Sequence, residues 1–196
     1  MKLLFFSAIA WLLASPAAIS VQVPIPQETK FGHHHFAEAP HGELALAGEY
    51  RHTGRKVMLR KPAAEAFQEM VAAAKKDSVE LVTISGLRTV EYQRGLFEKA
   101  KKKYGSEQGA AKWVAPPGYS EHHTGYTLDI GDGATPKCDV EPCFEQTPAS
   151  KWLQLHAHDF NFEMSFPNNN PQGVNPEPWH WRWVGNDEAR RMFHPE

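Results

Sequence analysis

Residues 120–130 read SEHHTGYTLDI. Two adjacent histidines, His122 and His123, come before a glycine, and an alternating run then carries Asp129. The alternation predicts a strand over YTLDIGD, and Gly125 lets the chain turn into it. His122 and Asp129 thus stand astride a loop-to-strand junction, where a turn brings both side chains to one point. A catalytic zinc is held by three protein groups and keeps one position open. The third group must come from another element. His180 in EPWHWRW fits, on a strand flanked by aromatic residues. Glu177 lies three residues upstream, across Pro178. That offset lets its carboxylate face the same metal without binding it, and take a proton from an attacking water. Spacing alone leaves an ordinary polar loop and strand open, because histidine–aspartate pairs are common.

Around this stretch, helical and strand periods alternate irregularly. KPAAEAFQEMVAAAKKDS predicts a helix with Pro62 in its first turn and Phe67, Met70, Val71 and Ala74 on one face. VELVTISG predicts a buried strand ending at Gly86. TVEYQRGLFEKAKKKYG predicts a second helix, capped by Thr89, with Leu96, Phe97 and Ala100 inward and Gly105 as its stop. A short helix is expected from Ser106 to Trp113, a helix capped by Ser150 over SKWLQLHAHDF, and strands over NFEMSF and EPWHWRWVG. There is no internal repeat and no regular βαβ unit, so the class is α+β.

The 196 residues suffice for one domain with a sizeable core. With 21 basic and 23 acidic residues the formal charge is −2, and no block of like charge points to nucleic acid. The run Lys101–Lys103 is the wet C-terminal end of a helix, where cations are favoured. The first 20 residues, MKLLFFSAIAWLLASPAAIS, have the layout of a secretory signal peptide: an early lysine, an apolar stretch too short to span a bilayer comfortably, then small residues. Loss of Lys2 with this leader leaves 20 basic against 23 acidic residues, a charge of −3. An exported chain with two cysteines, Cys138 and Cys143, is expected to join them in a disulfide that pins one loop. Residues 21–56, rich in proline, glycine and histidine, read as an extended arm with little regular structure, and His33, His34 and His35 as exposed on it.

Three segments, SGLRTVEYQ, SEHHTGYTLDI and EPWHWRWVG, resemble in order and spacing the signatures of the VanY-type D-alanyl-D-alanine carboxypeptidases. These are zinc peptidases of the group that contains hedgehog-like domains. Their pattern is Ser-x-His, six residues, Asp, and later Glu-x-x-His; Ser120, His122, Asp129, Glu177 and His180 match it. The likeness covers roughly residues 58–185. It implies a hedgehog/DD-peptidase-like fold, a small antiparallel sheet flanked by helices, with a catalytic domain over residues 57–196. It further implies one Zn²⁺ per chain on His122, Asp129 and His180, with Glu177 as general base. Arg88 would meet the substrate or the developing oxyanion, and Gln93 and Ser120 would line the substrate site. His123 is then a wall or supporting residue. The family often has tyrosine before the arginine and serine after it; Leu87 and Thr89 stand here instead, so pocket shape is expected to differ.

The expected reaction is hydrolysis near the C-terminus of a peptidoglycan stem peptide, D-Ala-D-Ala foremost, by an exported monomer at the cell wall. The setting is periplasmic or extracellular, with no membrane span after processing. L,D-carboxypeptidase or endopeptidase activity is the near alternative, since the same residues serve all three. A non-catalytic zinc-containing binding module has no use for a base at Glu177. A metal scavenger built on His33–His35 is the remaining alternative.

Overall fold

The computed structural model describes residues 28–195. The signal-peptide expectation for residues 1–20 lies outside them. The chain begins with a two-residue strand pair, β1 (Thr29–Lys30) and β2 (His33–His34), followed by an antiparallel hairpin of β3 (Leu44–Tyr50) and β4 (Arg55–Arg60). Next come α1 (Lys61–Lys76), β5 (Leu81–Ser85), α2 (Val90–Tyr104), α3 (Glu107–Ala111) and β6 (Thr127–Asp132). Then follow α4 (Pro148–His156), β7 (Phe162–Met164), β8 (His180–Trp183) and α5 (Asp187–Phe193). Strands β5, β6, β8 and β7 form, in that order, one antiparallel sheet. The α+β class and the small antiparallel sheet flanked by helices agree with the sequence reading.

The sheet has two different faces because strand side chains alternate. On one face Leu128 and Ile130 of β6 and Trp181 and Trp183 of β8 pack against Phe67 and Met70 of α1 and Leu153 of α4. In register on the other face, Asp129 pairs with His180, and β5 brings Ser85 beside Asp129. Every residue of β6 is buried, so both faces are covered. The apolar face supplies the cohesion; the polar face gathers Ser85, Asp129 and His180.

Helix α1 starts where Pro62 allows and buries Phe67, Met70 and Ala74, as its spacing predicts. In α2, Thr89 caps by accepting from the Tyr92 amide at 3.1 Å, and Gly105 ends the helix in a left-handed conformation. The cap of α4 departs from expectation. Thr147, not Ser150, accepts from the first turn, because Pro148 fixes the first helical position and moves the start upstream.

The larger difference concerns residues 21–56. Residues 44–50, expected to be irregular, form β3 and pair with β4. A bulge between Leu46 and Gly48 breaks the period of two that would have announced the strand. The expected exposed histidine run also divides. His33 is buried, its Nε2 2.7 Å from the Ala111 carbonyl, while His35 is exposed. The segment is laid on the body by backbone bonds from Phe36 to Gly118 and from Ala39 to His123. Cys138 and Cys143 are joined in a disulfide that closes one loop.

Candidate active site

Ser120 caps a 3-10 turn over Glu121–Thr124, and Gly125 closes it at φ 69°, a conformation other residues adopt only with strain. The turn fixes two histidines in opposite senses. His122 Nδ1 lies 2.7 Å from the Gly86 carbonyl and donates to it, which leaves Nε2 a bare acceptor. His123 turns away: Nδ1 sits 2.7 Å from the Arg88 carbonyl and Nε2 accepts from the Gly118 amide at 3.1 Å. His123 is therefore a strut between loops, in keeping with the supporting place expected of it.

His122 Nε2 and Asp129 Oδ1 stand 3.3 Å apart, and His180 Nδ1 is 3.2 Å from the same oxygen. These three residues form the group able to hold a metal among the described residues, with ligand atoms within 4.8 Å of one another. Ligands at about 2.0–2.1 Å from a tetrahedral zinc stand about 3.3 Å apart. The donor set is also right for zinc: two imidazole nitrogens and a carboxylate oxygen. His122 Nε2 and Asp129 Oδ1 are fully buried and make no hydrogen bond in the protein. A buried polar atom without a partner is costly, and two of them converging on one point call for an ion. The residues present fit Zn²⁺.

The remaining contacts orient these groups. Arg88 bonds through Nη2 to Asp129 Oδ2 and through Nε to Ser85 Oγ at 2.9 Å, which leaves Oδ1 of Asp129 for the metal. His180 Nε2 lies 3.0 Å from Glu121 Oε2. Glu121 is buried, accepts from Ser165 Oγ at 2.5 Å and pairs with Arg182 at 2.9 Å. A carboxylate behind a ligand histidine fixes its ring and tautomer. The sequence reading passed over Glu121, although it lies inside the quoted stretch. Arg182, two residues after His180 on the same strand face, was the available sign of a buried anion nearby.

Burial drives the His122 imidazole down to about 4, and the nearby Arg88 charge acts in the same direction. It is neutral at neutral pH, as a ligand must be. Burial also opposes charge on His180, but Asp129 and Glu121 outweigh it and lift the ring to about 9 in the metal-free protein. Burial works against ionised Glu121 as well, yet His180 and Arg182 hold it down at about 2. Glu177 has its carboxylate 3.5 Å from His180 Nδ1. Burial pushes it up to about 7, against the pull of His180. A carboxylate poised near neutrality beside a metal position suits proton transfer.

All seven residues singled out beforehand, His122, Asp129, His180, Glu177, Arg88, Ser120 and Gln93, line one cavity of about 700 Å³. His33 lines it too. Gln93 donates to the Ala115 carbonyl at 2.8 Å, while its buried Oε1 has no partner among the described residues.

The family model for VanY, D-alanyl-D-alanine carboxypeptidase, matches residues 56–186. The chain belongs to the VanY family. It is 36% identical over 138 residues to YodJ of Bacillus subtilis (strain 168), covering 69% of this chain and 50% of that protein. The match spans about half the length of YodJ and of a D-alanyl-D-alanine carboxypeptidase of Enterococcus faecalis (strain ATCC 700802 / V583). Among solved structures it is similar to the LD-carboxypeptidase LdcB, with 32% identity, a TM-score of 0.67, and 79% of this chain and 73% of that chain covered. It is also similar to a VanY D,D-pentapeptidase from a VanB-type resistance cassette, solved as a point variant in complex with Zn(II). There the identity is 26%, the TM-score 0.60, and the coverage 81% of this chain and 88% of that one.

Proposed function

We propose that this VanY-family protein is a zinc-dependent D-alanyl-D-alanine carboxypeptidase that trims peptidoglycan stem peptides. The observation that carries the reading is the pair of unbonded buried atoms, His122 Nε2 and Asp129 Oδ1, converging with His180 Nδ1 beside Glu177. One Zn²⁺ held by His122, Asp129 and His180 would polarise the scissile carbonyl and acidify the attacking water. Glu177 takes the water's proton on its carboxylate and passes it to the departing amine. Arg88 spends Nε and Nη2 on Ser85 and Asp129; its Nη1 has no partner among the described residues and meets the oxygen on which charge develops. Oε1 of Gln93, without a partner among the described residues, accepts from a substrate amide, and Ser120, which lines the same cavity, adds a hydroxyl. A site that only holds metal for structure needs no base at Glu177 and no open cavity.

The leader-like first 20 residues and the Cys138–Cys143 disulfide support export to the periplasm or outside the cell; the proposal further takes the protein to act as a monomer without a membrane span after processing. No described helix is long and apolar enough to cross a membrane.

A second reading, L,D-carboxypeptidase, has a specific support: the likeness to LdcB in both sequence and shape. Incubation of the zinc-loaded protein with stem pentapeptides and tetrapeptides, followed by mass analysis, separates the two. Loss of the fifth residue from pentapeptide supports the D,D reading. Loss of the fourth residue from tetrapeptide alone replaces it with the L,D reading, and no cleavage of either sinks both.

A further inference from the structure

The cavity reaches well beyond the metal position. Along α2 it runs from Gln93 past Leu96 and Lys99 to Lys103, and on to Lys112 and Trp113 after α3. Lys99 and Lys103 are one helical turn apart, so their side chains share a face. Tyr104 and Trp113 stack at 6.0 Å, which joins the end of α2 to the residues after α3. Lys103 Nζ lies 5.0 Å from the Tyr104 ring centre. The three lysines are exposed, and none has an acidic partner among the described residues. The acidic groups of this region are taken: Glu98 and Glu107 pair with Lys101, and Glu91 with Arg94. Glu141 also lines the cavity, from the disulfide-closed loop, and contributes one negative charge there.

A cavity of about 700 Å³ is sized for a drug-like ligand rather than for two alanines. Lys99 and Lys103 stand six and ten positions beyond Gln93, roughly 9 and 15 Å along the helix axis. The terminal carboxylate of a carboxypeptidase substrate lies within one residue, about 3.8 Å between Cα atoms, of the bond that is cut. The lysines stand too far along the wall to serve it. We propose that Lys99, Lys103 and Lys112 form a subsite for a free carboxylate on a substrate residue upstream of the scissile bond. Three cations on this wall, with Lys103 over the Tyr104 ring, hold such a group loosely and select it over its amide. This inference rests on the reading of the site as a peptide hydrolase.

The test uses two stem peptides identical except that the upstream carboxylate is free in one and a carboxamide in the other; both keep a free C-terminus. Binding is measured by calorimetry on zinc-loaded Glu177→Ala protein, with and without Lys99→Ala, Lys103→Ala and Lys112→Ala together. Turnover is measured with Glu177 in place. The free acid should bind about 3- to 10-fold tighter at low salt, with the advantage shrinking as salt rises. The lysine substitutions should erase that advantage and leave the amide's affinity unchanged. Equal weakening of both peptides means that the lysines serve the terminal carboxylate, and overturns the proposal. So does an unchanged preference. Cleavage of both peptides without charge preference removes the subsite and keeps the hydrolase; charge-selective binding without cleavage does the reverse. Binding of neither peptide removes both.

Discussion

Glu177 and the three residues with ligand atoms lie within a few ångströms of one another, and the proposed hydrolysis gives them different work. Substitution should separate them. Glu177→Ala should keep its zinc and its fold and lose most activity, because the ligand atoms stay in place. His122→Ala, Asp129→Ala or His180→Ala should lose zinc and activity together, and His123→Ala neither to the same degree. Metal analysis beside peptide hydrolysis checks this, and an active Glu177→Ala protein would remove the general base from the mechanism. Glu121→Gln should lower zinc affinity by about 10- to 100-fold, the usual effect of disturbing a carboxylate behind a ligand histidine. Competition with a chelator reads that loss directly; unchanged affinity would show that a neutral acceptor at residue 121 holds the His180 ring as well as the carboxylate does. That His122, Asp129, Glu177 and His180 come together was legible because a metal-and-base reading ties residue type to spacing. Glu121 was not, because its partners Ser165, His180 and Arg182 lie 44, 59 and 61 positions away. Nothing in its local sequence distinguishes it from a solvated loop acid.

At the scale of elements, the site depends on three backbones meeting: β6 against β8 for Asp129 and His180, and the end of β5 for His122. The last joint is tight. A Cβ at Gly86 would come 2.5 Å from the Met58 carbonyl, and the Gly86 carbonyl is what His122 Nδ1 holds. Gly86→Ala should therefore push β5 from β4, cost about 1–3 kcal/mol and weaken zinc binding through His122. Gly95→Ala, in open space on α2, should instead stabilise by roughly 0.5–1 kcal/mol and leave zinc binding alone. Thermal melts with zinc titrations on both variants test the contrast, and a Gly86→Ala protein with normal zinc affinity would break the link. Helices α1 and α2 were legible because a single buried face imprints its period, and strands β5, β6, β7 and β8 because short apolar or alternating runs end at turn residues. Strand β3 was not: its bulge breaks that period, and the glycine, proline and histidine content of residues 21–56 resembled loop. His33 was misjudged for a related reason. Burial of one histidine in three is decided by the Ala111 carbonyl, 78 positions on.

Over the whole molecule the candidate metal position is also a store of charge that the fold must hold without an ion. His180 in the metal-free protein keeps its proton up to about 9, because Asp129 and Glu121 outweigh its burial. An unfolded histidine titrates near 6.5. The folded state thus binds this proton more tightly, and the stability it contributes is full below about 6.5 and lost as pH rises through about 9. Glu177, raised to about 7, acts in the same direction up to that pH. His122, Glu121 and Asp129 have lowered values and finish titrating below the window. Between pH 7 and 9 the chelated protein should therefore melt at progressively lower temperature. Zinc replaces the proton on Nδ1, so the loaded protein should lose most of that slope, and at pH 8 binding should release about one proton from His180. Saturating zinc at 1,000 times its dissociation constant adds about 4 kcal/mol, or roughly 8–16 °C for a chain of this size. Calorimetric melts of chelated and loaded protein across pH 7–9 measure both effects, with His180→Ala as the chelated control that should show no such slope. A chelated protein whose melting temperature stays flat while zinc binding releases no proton would mean that His180 is neutral before the metal arrives, and that Glu121 orients the ring without charging it.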